Sequence, residues 1–96
     1  MNNNVVLIGR IANMRKEENN NIITIAVPEY QKNSNGEYDV NFIDCLLSIG
    51  IAEPTTEYCK TGDLIGIKGK LKSKDKNIIV FAERLTFLTS KKDFEE

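Results

Sequence analysis

Along most of this chain the apolar positions come in short β-branched runs rather than in helical stripes. Val5–Ile11 (VVLIGRI) and Ile22–Val27 (IITIAV) are rich in valine and isoleucine, whose branched side chains pack well on a pleated surface. Each predicts a strand, the first with a bulge or bend at Gly9, the second stopped by Pro28, which has no N–H to give to a ladder. Between them, Ala12–Asn21 is polar and ends in asparagines, so it reads as a loop. Gln31–Gly36 contains Asn35-Gly36, a hairpin-turn signal. Asp39–Ile49 then reads as a long third strand, Leu64–Lys74 as a fourth and Ile78–Leu88 as a fifth, the last two joined by a tight turn at Asp75–Asn77. One segment has a different texture. Ala52–Lys60 has Pro54 near its start, acidic residues early, Lys60 late and Gly62 just beyond, which predicts one short helix.

The order β-β-β-α-β-β in 96 residues predicts an all-β fold: a five-stranded Greek-key OB-fold barrel with one short helix between strands 3 and 4. Glycines at 9, 66 and 69 suit the bends of a small barrel. An SH3-like barrel is the rival, but it lacks a comparable mid-chain helix. A second hydrophobic core would have too little chain to close around. The expected organisation is one domain over residues 1–89, followed by a short, charged, frayed tail at 90–96.

Composition narrows the function. With 41% hydrophobic and 28% charged residues the chain is globular in character. No apolar run reaches membrane-spanning length and no charged-then-apolar leader opens the chain, so a cytoplasmic protein is expected. Cys45 and Cys59 stand without any histidine, so a zinc site lacks ligands, and no metal or cofactor is expected. Both cysteines read as small buried hydrophobes of a reducing compartment. No nucleophile-base pair, carboxylate cluster or phosphate loop is visible, which points to binding rather than catalysis.

A net charge of −1 by itself speaks against an anionic partner, but the distribution of charge reverses that. In Ile67–Asn77 (IKGKLKSKDKN), lysines occupy positions 68, 70, 72, 74 and 76. In a strand, that period of two places all of them on one face, with Ile67, Gly69 and Leu71 on the other. Same-face neighbours lie roughly 6.5–7 Å apart, comparable to phosphates along a stretched single strand. The competing reading is a solvated strand whose lysines deter edge pairing. Aromatic side chains supply the other half of such a site, because any base stacks on them. Tyr30 and Tyr38 flank the polar turn, and either Phe42 or its neighbour Ile43 must point outward. Tyr58, Phe81 and Phe87 are expected in the core.

The residues also carry a resemblance. VVLIGR (Val5–Arg10), ITIAV (Ile23–Val27), FIDCLL (Phe42–Leu47), AE...EYCKTGDLIGIKGKLK (Ala52–Lys72) and ERLTFL (Glu83–Leu88) resemble the bacterial single-stranded-DNA-binding protein family from Val5 to about Thr89. The resemblance implies non-sequence-specific binding of single-stranded DNA in replication, recombination or repair. It also implies a homo-oligomer, tetramer or dimer, and possible replication or recombination proteins as partners. Carried over by position, the DNA-binding residues would be Tyr30 and Phe42, with Arg10, Lys32, Lys68, Lys70, Lys72, Lys74 and Lys76 around them. A further family aromatic falls at Ser48, the hairpin between strands 4 and 5 is short, and no long acidic-tipped tail follows. These departures imply weaker binding or a smaller footprint. They also support the alternative of an OB-fold accessory protein of the replisome or primosome whose main partner is protein.

Overall fold

A computed structural model describes residues 1–90, with the elements β1 (Val5–Glu17), β2 (Asn20–Lys32), β3 (Tyr38–Leu47), α1 (Ile49–Tyr58), β4 (Leu64–Lys74) and β5 (Asn77–Thr89). The strands close into a barrel in the order β1-β2-β3-β5-β4, as expected for the OB-fold, with β3 and β5 parallel and the other pairs antiparallel. The long first strand makes closure possible by serving two partners. Val5–Arg10 pairs with β4, and Arg10–Glu17 pairs with β2, with a bulge between Ile11 and Asn13. Gly9 sits at the crossing, where a Cβ would meet the Ala26 carbonyl oxygen at 2.5 Å, so the strands close only without a side chain there.

The core is made of alternate residues. Ile11, Ile23, Ile25, Ile65 and Ile67 are each at most 2% exposed, and each contributes roughly 1.5–3 kcal/mol of burial. Cys45, Leu47, Cys59, Val80 and Ala82 complete it. Both cysteines are buried and free, as expected. Burial pushes the Cys45 thiol up to about 12, and the neighbouring Asp44 charge adds to the effect. On the β4 edge, Asn3 extends the ladder by one rung: its side-chain amide donates to the Leu71 carbonyl (2.9 Å) and accepts from the Leu71 N–H (2.8 Å).

Several boundaries differ from the sequence reading. The expected loop at residues 12–21 is instead the second half of β1 and the start of β2, joined by a two-residue turn at Glu18 and Asn19 with φ of 48° and 69°. Both residues lie in the left-handed region that hairpin turns of this length require, although neither is glycine. β2 does not stop at Pro28. It bulges between Pro28 and Lys32 and resumes pairing at Lys32, the kind of position where proline costs no ladder bond. β3 ends at Leu47, and the helix begins earlier than expected, leaving Pro54 inside it and no acidic residue in its first turn. Asn35-Gly36 does turn the chain, but through Asn33, whose side-chain oxygen accepts from the Asn35 and Glu37 N–H groups, with only Gly36 at positive φ. The expected tail lies, at residues 91–96, outside the described residues, Phe94 included.

Candidate nucleic-acid interface

Residues directly paired across strands project on the same side of a sheet, so the register maps the outer wall of the barrel. Arg15, Ile22, Leu46, Phe81 and Lys70 pair in succession across β1, β2, β3, β5 and β4 and form one continuous row. A second row runs Asn13–Thr24–Asp44, and a third Arg10–Ala26–Phe42. Phe42 stands on this wall, 67% exposed, and Tyr30, within the bulge of β2, is 86% exposed. Phe42 stands on β3 opposite the small Ala26, which leaves its ring open to a partner. Tyr30 projects from the bulged end of β2, where Lys32 Nζ lies 5.7 Å from the Tyr38 ring.

The lysine period survives folding for four of its five members. Lys68, Lys70, Lys72 and Lys74 alternate with Ile67, Gly69, Leu71 and Ser73 along β4, whereas Lys76 sits in the two-residue turn after it with φ of 72°. The alternation therefore ends at Lys74, because the chain reverses two residues earlier than a five-lysine stripe needs. Gly69 keeps this strand close to its neighbour: a Cβ there would fall on the Phe81 carbonyl oxygen. Lys68 stands opposite Arg84, two like charges that repel across the ladder. No ion pair joins any of these four lysines to a described residue.

Phe81 is not in the core. It lies half-buried on the outer wall beneath the lysines, with Lys72 Nζ 4.0 Å and Lys70 Nζ 5.8 Å from its ring centre. Phe87 and Tyr58, also expected inside, are 47% and 73% exposed. The sequence hides this because Ile78–Ala82 is apolar without interruption, so a period of two cannot say which side is in; Val80 and Ala82 take the interior. Arg10 is on the same wall but is engaged, donating from Nη1 to the Gly62 carbonyl at 2.8 Å and so bracing the turn before β4.

Arg15, placed in a loop by the sequence reading, is the unforeseen cation of the wall. Its Nε donates to Glu17 Oε2 (2.8 Å), Nη1 to Thr24 Oγ1 (3.1 Å) and Nη2 to Asp44 Oδ2 (3.0 Å). The Thr24 hydroxyl donates in turn to Asp44 Oδ1 at 2.6 Å. Hydrogen bonds from Arg15 and Thr24 hold the Asp44 carboxyl below its ordinary value, against a small opposing effect of burial. Among the described residues no group of three or more His, Cys, Asp or Glu is placed to hold a metal. Among the described residues no helix is long and apolar enough to cross a membrane.

The wall thus presents open aromatic faces beside unpaired lysines, on a barrel that other proteins share. The small single-stranded DNA-binding protein of Mycoplasma pneumoniae superposes with a TM-score of 0.74 at 16% identity, covering 88% of this chain and 92% of that one. The Plasmodium falciparum SSB, solved in complex with single-stranded DNA, superposes with a TM-score of 0.70 at 16% identity, covering 92% and 96%. At such identities the likeness is one of fold. In sequence, single-stranded DNA-binding protein 1 of Lactococcus lactis is 36% identical over an alignment of 81 positions that covers 78% of this chain and 54% of that protein. The chain spans about half the length of the curated relatives it matches. Residues 2–78 match the model described as the single-strand binding protein family, and to that family this chain belongs.

Proposed function

We propose that this barrel binds single-stranded DNA without sequence specificity and without catalysis, protecting it in the bacterial cytoplasm during replication, recombination or repair. The observation that supports this best is the meeting on one wall of the exposed Phe42 ring and a row of lysines unpaired with any described residue. Bases stack on Phe42, on Tyr30 and on Phe81 once Lys72 swings aside, while Lys68, Lys70, Lys72 and Lys74 neutralise the backbone. Lys32 and Lys76 serve the two ends of the path. Arg10, tied to Gly62, holds the strand crossing behind Phe42. Nothing in this set reads one base over another, since rings and point charges recognise features every nucleotide has.

The proposed assembly is a homo-oligomer, dimer or tetramer. Val6 and Ile8 on β1 and Leu88 on β5 are 70%, 57% and 46% exposed beside Lys68 and Arg84, an apolar strip that a second copy would cover. Light scattering at micromolar concentration should give a multiple of the 10.9 kDa chain mass, and a monomer mass would overturn this.

The function is tested by anisotropy titration of a fluorescent dT oligonucleotide, repeated with duplex at equal nucleotide concentration. Single strand should bind far more tightly. Equal affinity, or none, would leave the protein-partner reading, with the lysines reduced to edge protection.

A further inference from the structure

Arg15 stands two rows from Phe42 on the same wall, with Asp44 in the row between, along the path that a strand stacked on that ring would take. Yet every nitrogen of its guanidinium already donates to Glu17, Thr24 or Asp44. Asp44 lies two residues from Phe42 on β3, a same-face separation of roughly 6.5–7 Å. Its side chain is 47% exposed, so its charge faces the solvent that DNA would occupy. Counting Arg15 as +1 and Asp44 and Glu17 as −1 each, the cluster carries a net −1 beside the stacking ring.

We propose that Asp44 is an internal competitor for the DNA backbone, holding Arg15 off the phosphates and limiting how tightly the Phe42 side of the wall binds. The inference rests on the proposed single-strand binding. The arrangement is built rather than incidental: the Thr24 hydroxyl accepts from Arg15 and donates to Asp44, fixing both partners from the neighbouring strand. The lowered pKa of Asp44 keeps the carboxylate charged at any pH near neutral, so the restraint is permanent rather than switched. A carboxylate oxygen and a phosphate oxygen make the same demand on a guanidinium, so one excludes the other. The cost to affinity gives faster release, useful to a protein that other enzymes must displace from the strand.

The test is a cycle of variants titrated with a fluorescent dT oligonucleotide across 50–200 mM salt, with thermal melts to confirm folding. Asp44→Asn should tighten binding roughly fivefold at low salt, about what one added ion contact near 4 Å gives in water. The log–log salt slope should steepen by about 0.7, the value of one further phosphate contact. Glu17→Gln should act in the same direction and more weakly. Arg15→Gln alone should leave the salt slope unchanged, because the masked cation makes no phosphate contact, while the unneutralised Asp44 and Glu17 weaken binding slightly. Arg15→Gln added to Asp44→Asn should erase the gain. A gain that survives without Arg15, or no gain in Asp44→Asn while the parent protein binds, overturns the proposal and leaves the function standing. A salt slope flattened by about 0.7 in Arg15→Gln alone also overturns it. A parent protein that fails to bind the oligonucleotide overturns the function and this inference together.

Discussion

On β4 the cations Lys68, Lys70, Lys72 and Lys74 pair with no described carboxylate, whereas on β1 Arg15 is held between Asp44 and Glu17. Both regions belong to one wall, and the row through Phe81, Leu46 and Ile22 connects them. The difference lies in what each strand has for neighbours. β4 faces β5, which offers Phe81, Ile79 and Arg84 at the paired positions and no acid. β1 faces β2 and, one strand further, the acidic Asp44 of β3. A cation placed beside an aromatic ring keeps its charge available, while one placed beside a carboxylate does not. Net charge, at −1 for the whole chain, averages the two regions and describes neither.

The comparison can be broken most severely at the rings. Phe42→Ala and Phe81→Ala should each weaken single-strand affinity by about 1–3 kcal/mol, the usual value of a lost stacking platform. Folding should suffer little at Phe42, which is open to solvent. If Phe81→Ala lowers the melting temperature and leaves binding per folded molecule intact, the ring serves the lysines as a packing support only.

Lys70→Gln with Lys72→Gln probes the free cations. The salt slope should flatten by about 1.4, so that the affinity gap to the parent closes about sevenfold between 50 and 200 mM salt. An unaltered slope in anisotropy titrations would mean that the β4 lysines are as idle as Arg15 is held to be.

Lys76→Gly separates the turn from the strand. Relief of the left-handed strain at φ of 72° should raise stability by up to about 1 kcal/mol in urea unfolding. Affinity should fall only slightly, since this lysine lies beyond the regular row.

The smallest expected effect is acid sensitivity at the paired end. The Asp44 carboxyl is held below its ordinary value of 3.8, so its contribution is present above that value and is lost as pH falls through the lowered one. Because the pair is well exposed, the contribution should stay under about 1 kcal/mol. Thermal melts between pH 5 and pH 2 should show a slightly gentler decline for Asp44→Asn than for the parent. An identical decline would show that the pair adds no stability.

The barrel was readable because its strands announce themselves locally: Val5–Ile8, Ile22–Ile25 and Leu64–Ile67 are β-branched, and the helix sits in a segment of other texture. Phe42 and four of the lysines were readable for the same reason, since a period of two fixes a face wherever polar residues mark it. What escaped depended on partners distant in sequence. Met14–Glu17 reads as loop because its charges are satisfied by Thr24 and Asp44, 9 and 29 positions away from Arg15. Phe81 looked interior because only the small Ala82 and the pairing with Leu46 decide which way that strand faces. The turns at Glu18-Asn19 and Asp75-Lys76 lack the glycine that usually signals positive φ; strand twist imposes it instead.

Asn3 carries a consequence for colloidal behaviour. Pairing between β1 and β4 ends at Val5 and Gly69, beyond which β4 would offer bare N–H and C=O groups to any passing strand. By closing the Leu71 rung from both sides with one side chain, Asn3 ends the ladder without offering a new edge to extend it. It works like a chain stopper in a polymerisation: it consumes the growing end and supplies none. Asn3→Ala should leave the barrel folded but prone to slow, concentration-dependent clumping, a shelf-life defect rather than a loss of binding.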